Sequence, residues 1–154
     1  MGYQLIETIE VGAGGAASIT FASIPADWKD LHLVVSGRHS ADNYCLLRFN
    51  GLTNNLSSKE LAGRGSTVNN STNAFIRMFD GFTGYTANTF GNSSVYVSNY
   101  LSASAKSVSV DTASENNATA AAVGISAGLW NSTAAITSIE LVSAGTFQEY
   151  STAS

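Results

Sequence analysis

One proline, one cysteine, two methionines and two tryptophans in 154 residues leave this chain short of the residues that usually punctuate or staple a fold. A lone cysteine, Cys45, excludes an intrachain disulfide. Its place in the apolar run Tyr44 to Phe49 marks it as a small buried hydrophobe rather than a reactive thiol. Charge is scarce too: Asp, Glu, Lys and Arg make up 12% of the chain, about half the globular average, and the net charge is -4. The seven basic residues are scattered singly. Phosphate binding needs them clustered, so nucleic acid is excluded as the main partner. No apolar run nears the roughly 18 residues that span a bilayer. The start, MGYQLIETIEV, has no basic region ahead of a long apolar stretch, so neither a membrane nor an export leader is expected. No stripe of helical period outlasts a turn or two; the one candidate is a single turn at Asp27 to Leu31, after Pro25.

What is present is small, neutral and alternating. Ser, Thr and Asn make up roughly a third of the residues, yet Val, Ile, Leu and Phe recur to the end, as a packed chain requires and a disordered one lacks. Between Gly15 and Arg38, Ile19 and Phe21 share one face of an extended segment. After the turn holding Pro25, Leu31, Leu33 and Val35 repeat the pattern. Further strands are expected near Tyr3 to Val11, Tyr44 to Asn50, Asn73 to Phe79, Ser93 to Leu101, Lys106 to Thr112, Ala120 to Trp130, Ala134 to Ser143 and from Phe147 onward, with Gly, Asn and Ser clusters between them. The expectation is all-β: a single domain over residues 1–154, a two-sheet antiparallel β-sandwich of jelly-roll type with about nine strands. Ile19, Phe21, Leu33, Val35, Phe49, Val97, Val123, Ile125, Ile139 and Leu141 are expected to be buried.

Two stretches break the alternation. Gly63 to Ser71 reads as a polar loop, and Phe79 to Phe90 (FDGFTGYTANTF) sets aromatic residues among glycines. Phe79, Phe82, Tyr85 and Phe90 are the candidate interface residues, because aromatic side chains enrich interface centres and also stack on sugar rings. The alternative is that they cap one end of the sandwich.

The chemical inventory is thin. His39 and Asp42 lie three apart without a third metal ligand, and His32 stands alone in its strand. Ser40 beside His39 makes no triad, Asp80 and Asp111 cannot be paired from sequence, and Gly12 to Gly15 precedes a strand instead of a helix. Asn-x-Ser/Thr sequons at Asn55, Asn69, Asn70, Asn92, Asn117 and Asn131 follow from composition. No catalytic residue, cofactor or metal is expected.

The block Gly15 to Arg38, the Asn50-Gly51 turn after Leu47 to Phe49, Ser98-Asn99-Tyr100, Trp130 to Leu141 (WNSTAAITSIEL) and Phe147 to Ser154 (FQEYSTAS) resemble a group of small structural proteins of tailed bacteriophages, especially those of marine bacteria and cyanobacteria. The similarity is patchy from Leu52 to Ser93. It implies a non-enzymatic virion component assembled in the host cytoplasm: a capsid decoration or cement protein on the major capsid protein or other virion proteins, or a receptor-binding or carbohydrate-recognising module of a tail fibre. It also implies a homo-oligomer, with a trimer favoured because capsid lattices offer threefold positions.

Overall fold

The computed structural model describes residues 2–41, 44–78, 86–115 and 121–154. Alternating side chains produce twelve strands among these residues and no helix. In chain order they are β1 (Ile9–Glu10), β2 (Ala16–Phe21), β3 (Leu31–Gly37), β4 (Cys45–Phe49), β5 (Leu56–Arg64), β6 (Thr67–Asn73), β7 (Ile76–Met78), β8 (Gly91–Val97), β9 (Lys106–Glu115), β10 (Ala121–Trp130), β11 (Ile139–Phe147) and β12 (Thr152–Ala153). All pairing is antiparallel. One sheet of eight runs β1-β12-β3-β8-β9-β10-β5-β6, and one of four runs β2-β11-β4-β7.

Both sheets contribute to one core. Leu33, Val35, Val95 and Val97 enter it from the large sheet, and Ile19, Phe21, Leu47, Phe49, Ile139 and Leu141 from the small one. Each such side chain, removed from water, contributes roughly 1.5–3 kcal/mol. The two strands that flank Pro25 do not pair with each other. β2 lies in the small sheet and β3 in the large one, so residues 22–30 carry the chain across, through bends instead of a helical turn.

A buried lysine ties the loops at one end. Lys106 is 1% exposed, and its Nζ donates to the carbonyls of Ser102 (2.6 Å), Ser132 (3.2 Å) and Ala134 (2.5 Å), with the Trp130 ring centroid 5.5 Å away. Burial pushes its pKa below the ordinary 10.5. Asn50 performs a similar service in the turn after β4. It adopts φ 53°, its Nδ2 donates to Ala135 O at 2.8 Å, and its Oδ1 accepts from the backbone N–H groups of Thr137 (2.8 Å) and Ser138 (3.1 Å). Asn tolerates that left-handed conformation better than most residues. Asn50→Ala is therefore expected to lower stability by about 2 kcal/mol, measured by urea denaturation.

Several expectations need correction. Twelve strands stand where about nine were expected, chiefly because Gly63 to Ser71, expected as a polar loop, is the centre of the β5–β6 hairpin, which turns at Gly65 and Ser66. Only Ile9–Glu10 of the first segment pairs, and residues 134–138 are irregular, although Ile136 is buried. Val123 and Ile125 are not core: they are 61% and 54% exposed, while eight of the ten residues expected in the interior are there. The alternation in β10 was read correctly but on the wrong face. Its inward positions are Ala122, Gly124, Ser126, Gly128 and Trp130. At Gly128 an added Cβ would lie 2.7 Å from Ile76 Cδ1 and 3.3 Å from Val108 Cβ, so β7 packs too close for larger inward residues.

Candidate functional site

The large sheet extends well past the small one. Beyond β8, the antiparallel pairs β9–β10 and β5–β6 add four strands, here termed the wing. β7 pins the wing's inner face. Ile76 packs at Gly128, and the Arg77 guanidinium grips the Glu60 carboxylate of β5 with two bonds, Nε to Oε2 and Nη2 to Oε1 (2.6 Å). Glu60 is 3% exposed. Arg77 also reaches Ser71 Oγ (3.3 Å) and lies 5.2 Å from the Tyr44 ring, which stacks on Phe75.

The wing's outer face is apolar where solvent would favour polar groups. Val68 is 75% exposed, Leu61 49% and Leu129 40%, joining Val123 and Ile125. Register makes them neighbours: Val68 faces Gly63, which faces Val123, and in the next row Asn70 faces Leu61, which faces Ile125. Lys59, Asp111 and Glu115 lie on the same face beside these rows. Isolated exposed hydrophobes are ordinary, but a contiguous set rimmed by polar groups marks a contact surface.

A second feature lies at the opposite side of the large sheet. Residues 2–7 run over a cleft of about 400 Å³ walled by Phe21, Ile24, Trp28, Leu31, Leu33 and Ile139. Its rim is aromatic and polar. The Tyr3 and His32 rings lie 5.1 Å apart, and His32 Nε2 is 2.8 Å from Ser94 Oγ. Asp30 accepts the Asn99 N–H at 2.8 Å and the Tyr96 hydroxyl, which together hold its carboxyl below the usual carboxylate range. The same bond to Asp30 pushes the Tyr96 phenol up.

Of the sequence candidates, Phe79, Phe82 and Tyr85 lie outside the described residues, as do Asp42 and Asp80. Phe90 is half-buried just before β8. Nearby, Arg38 Nη1 donates to the carbonyls of Thr86 and Thr89, both at 3.0 Å, fastening this region to the end of β3. His39 is packed, with Nδ1 2.8 Å from Ser143 Oγ and its ring against Phe147. Cys45 is fully buried, and Asp111 is exposed on β9. Among the described residues no group of three His, Cys, Asp or Glu side chains could hold a metal ion. The sequence showed the β9–β10 half of the wing but not the β5–β6 half or the Tyr3–Asp30–Tyr96 rim; in LSSKELAGR burial alternates while the apolar residues Leu56 and Leu61 fall on opposite faces, so no apolar period marks the strand. No family model, curated protein or solved structure matches this chain.

Proposed function

We propose that this chain is a virion structural protein, a capsid decoration or cement protein that binds the assembled phage head through its wing. The single observation that carries the reading is the exposed apolar patch of Leu61, Val68, Val123, Ile125 and Leu129 on a surface otherwise low in charge. Such a face gains free energy when another protein covers it, and a partner that binds only the assembled lattice stabilises that lattice. Strand order supports a jelly roll beneath the wing. With β5, β6, β9 and β10 set aside and the other eight strands renumbered in chain order, the sheets become first-eighth-third-sixth and second-seventh-fourth-fifth. That is the neighbour order of a jelly roll, an architecture common among viral capsid and lectin domains. The reading calls for no catalytic residue and no cofactor, places the protein in the virion, and takes the major capsid protein or another virion protein as partner, with self-association into a homo-oligomer.

Co-sedimentation with purified phage shells tests it. Ile125→Lys should weaken shell binding by roughly tenfold or more while changing the melting temperature little, since Ile125 is already exposed and faces Asp111 across the β9–β10 pair. A wild-type chain that does not pellet with shells, or a variant that binds as tightly, would sink the proposal.

A receptor-binding or carbohydrate-recognising fibre module is the second reading. The cleft favours it, because Tyr3, Trp28, His32 and Tyr96 surround the Asp30 carboxylate, and rings beside a hydrogen-bonding acid suit a sugar. Copy number per particle separates the two: hundreds for decoration, a few for a tail tip.

A further inference from the structure

Four strands form the edges of the two sheets: β1, β6, β2 and β7. β1 has two residues and β7 three, too short to template another chain, and the six-residue β2 is interrupted by a register shift against β11 between Val142 and Phe147. β6 is the longest at seven, reads TVNNSTN, and carries none of the usual protection: no charge, no proline and no register shift against β5. Among the described residues nothing pairs with its outer side. It also overhangs the second layer. Thr67, Val68, Asn69, Asn70 and Thr72 are all exposed, so residues on both of its faces meet solvent, and only Ser71 reaches inward to Arg77.

Hairpin geometry says which backbone groups are free. Gly65 and Ser66 form a two-residue connection, and in such hairpins the flanking pair, Arg64 and Thr67, is hydrogen-bonded. Bonded and non-bonded pairs then alternate along the ladder, which turns the N–H and C=O groups of Val68, Asn70 and Thr72 toward the open edge. These three also lie on the outer face with Leu61, since directly opposed residues share a face.

We infer that β6 is a self-association strand that pairs antiparallel with β6 of a second copy about a twofold axis at Asn70, joining two large sheets into one. The strand is complementary to itself in that register. Asn70 meets Asn70 of the partner subunit, Val68 meets a β-branched threonine, and no like charges oppose each other. The three free residues supply roughly six main-chain hydrogen bonds. The twofold also brings the two apolar wing faces side by side as one surface, doubling the area offered to a lattice. Two identical antiparallel strands can pair only about a twofold, so this edge selects a dimer in place of the threefold arrangement that the phage resemblance implies.

The inference deepens the wing reading but fails separately from it: a dimer indifferent to phage shells would leave the strand pairing intact and remove head decoration. Sedimentation equilibrium of the full chain across a hundredfold concentration range should show a monomer–dimer equilibrium. Asn70→Pro deletes one edge-facing N–H without touching the β5–β6 ladder, and Val68→Lys adds the missing edge charge. Each should raise the dimer dissociation constant at least tenfold with an unchanged far-UV circular dichroism spectrum. Asn70→Cys fixes the location independently: Cα atoms in a bonded antiparallel pair sit about 5.5 Å apart, within disulfide reach, so mild oxidation should cross-link the dimer. A chain that stays monomeric at the highest concentration, forms a trimer, or dimerises equally well with both edge substitutions would overturn the inference.

Discussion

Arg77→Ala is expected to lower the unfolding free energy by about 3–5 kcal/mol, the usual cost of removing one partner from a buried ion pair. The loss falls on Glu60, which has almost no water to replace the two guanidinium bonds, and on Ser71 and the Tyr44 ring, which lose the same partner. β7 is only three residues long and forms an edge of the small sheet, so Arg77 and Ile76 are its main fastenings to the wing. Urea denaturation of the wild type, Arg77→Ala and the double variant Glu60→Leu with Arg77→Met checks the argument. Most of the stability should return in the double variant, because a well-packed apolar pair can equal a buried ion pair. Failure to recover would place Arg77's value in its contacts with Tyr44 and Ser71 instead.

Lys106→Met should cost about 2–4 kcal/mol, since methionine matches the stem in length but leaves the carbonyls of Ser102, Ser132 and Ala134 without their donor. The variant also has a pH signature. Because burial lowers the folded-state pKa of Lys106 below 10.5, the unfolded chain binds the proton more tightly. Between the lowered value and 10.5, unfolding takes up a proton, so rising pH favours the folded wild type. The stability gap between wild type and Lys106→Met should therefore widen as pH rises through that window. Chemical melts at several alkaline pH values measure it, and a gap that narrows would contradict the sign.

Most of the two-sheet body outside the wing was legible because its strands obey one rule, apolar side chains inward. Ile19 and Phe21 in β2 flank Thr20, Ile139 and Leu141 in β11 flank Glu140, and Leu33 and Val35 in β3 flank the exposed Val34; all six are buried as their period requires. β9, with Val108 and Val110 inward, follows it, but β5 and β10 invert that rule, which hid the first and turned the second to the wrong face. β5 turns Ser58, Glu60 and Ala62 inward, where an arginine and a short strand cover them, and β10 turns in glycines and a serine to make room for Ile76. Of the two, only β10 shows period 2 in its sequence, and which phase faces the protein depends on what lies opposite, information that is spread over residues 60 to 128. The cleft was illegible for a similar reason. Tyr3, Asp30 and Tyr96 are far apart in sequence and meet only because β3 and β8 are neighbours and residues 2–7 lie across them. Trp28 belongs to both environments, packing against the core while it walls the cleft.

The pairing of β12 between β1 and β3 sets an order of events during synthesis. Ala153 sits opposite Ile9 on one side and Val35 on the other, so all of residues 9 to 153 must emerge from the ribosome before that gap in the sheet closes. At about 5–20 residues per second, β1 and β3 wait seconds for their partner. The β5–β6 hairpin, closed by a two-residue turn, needs only microseconds. The nascent chain thus carries a formed wing on an unclosed large sheet, with the neighbouring edges of β1 and β3 bare. Closure of the ends is the slow step in this topology, dominated by contacts between distant residues, and the interval before it is when the chain is most exposed to pairing with the wrong neighbour.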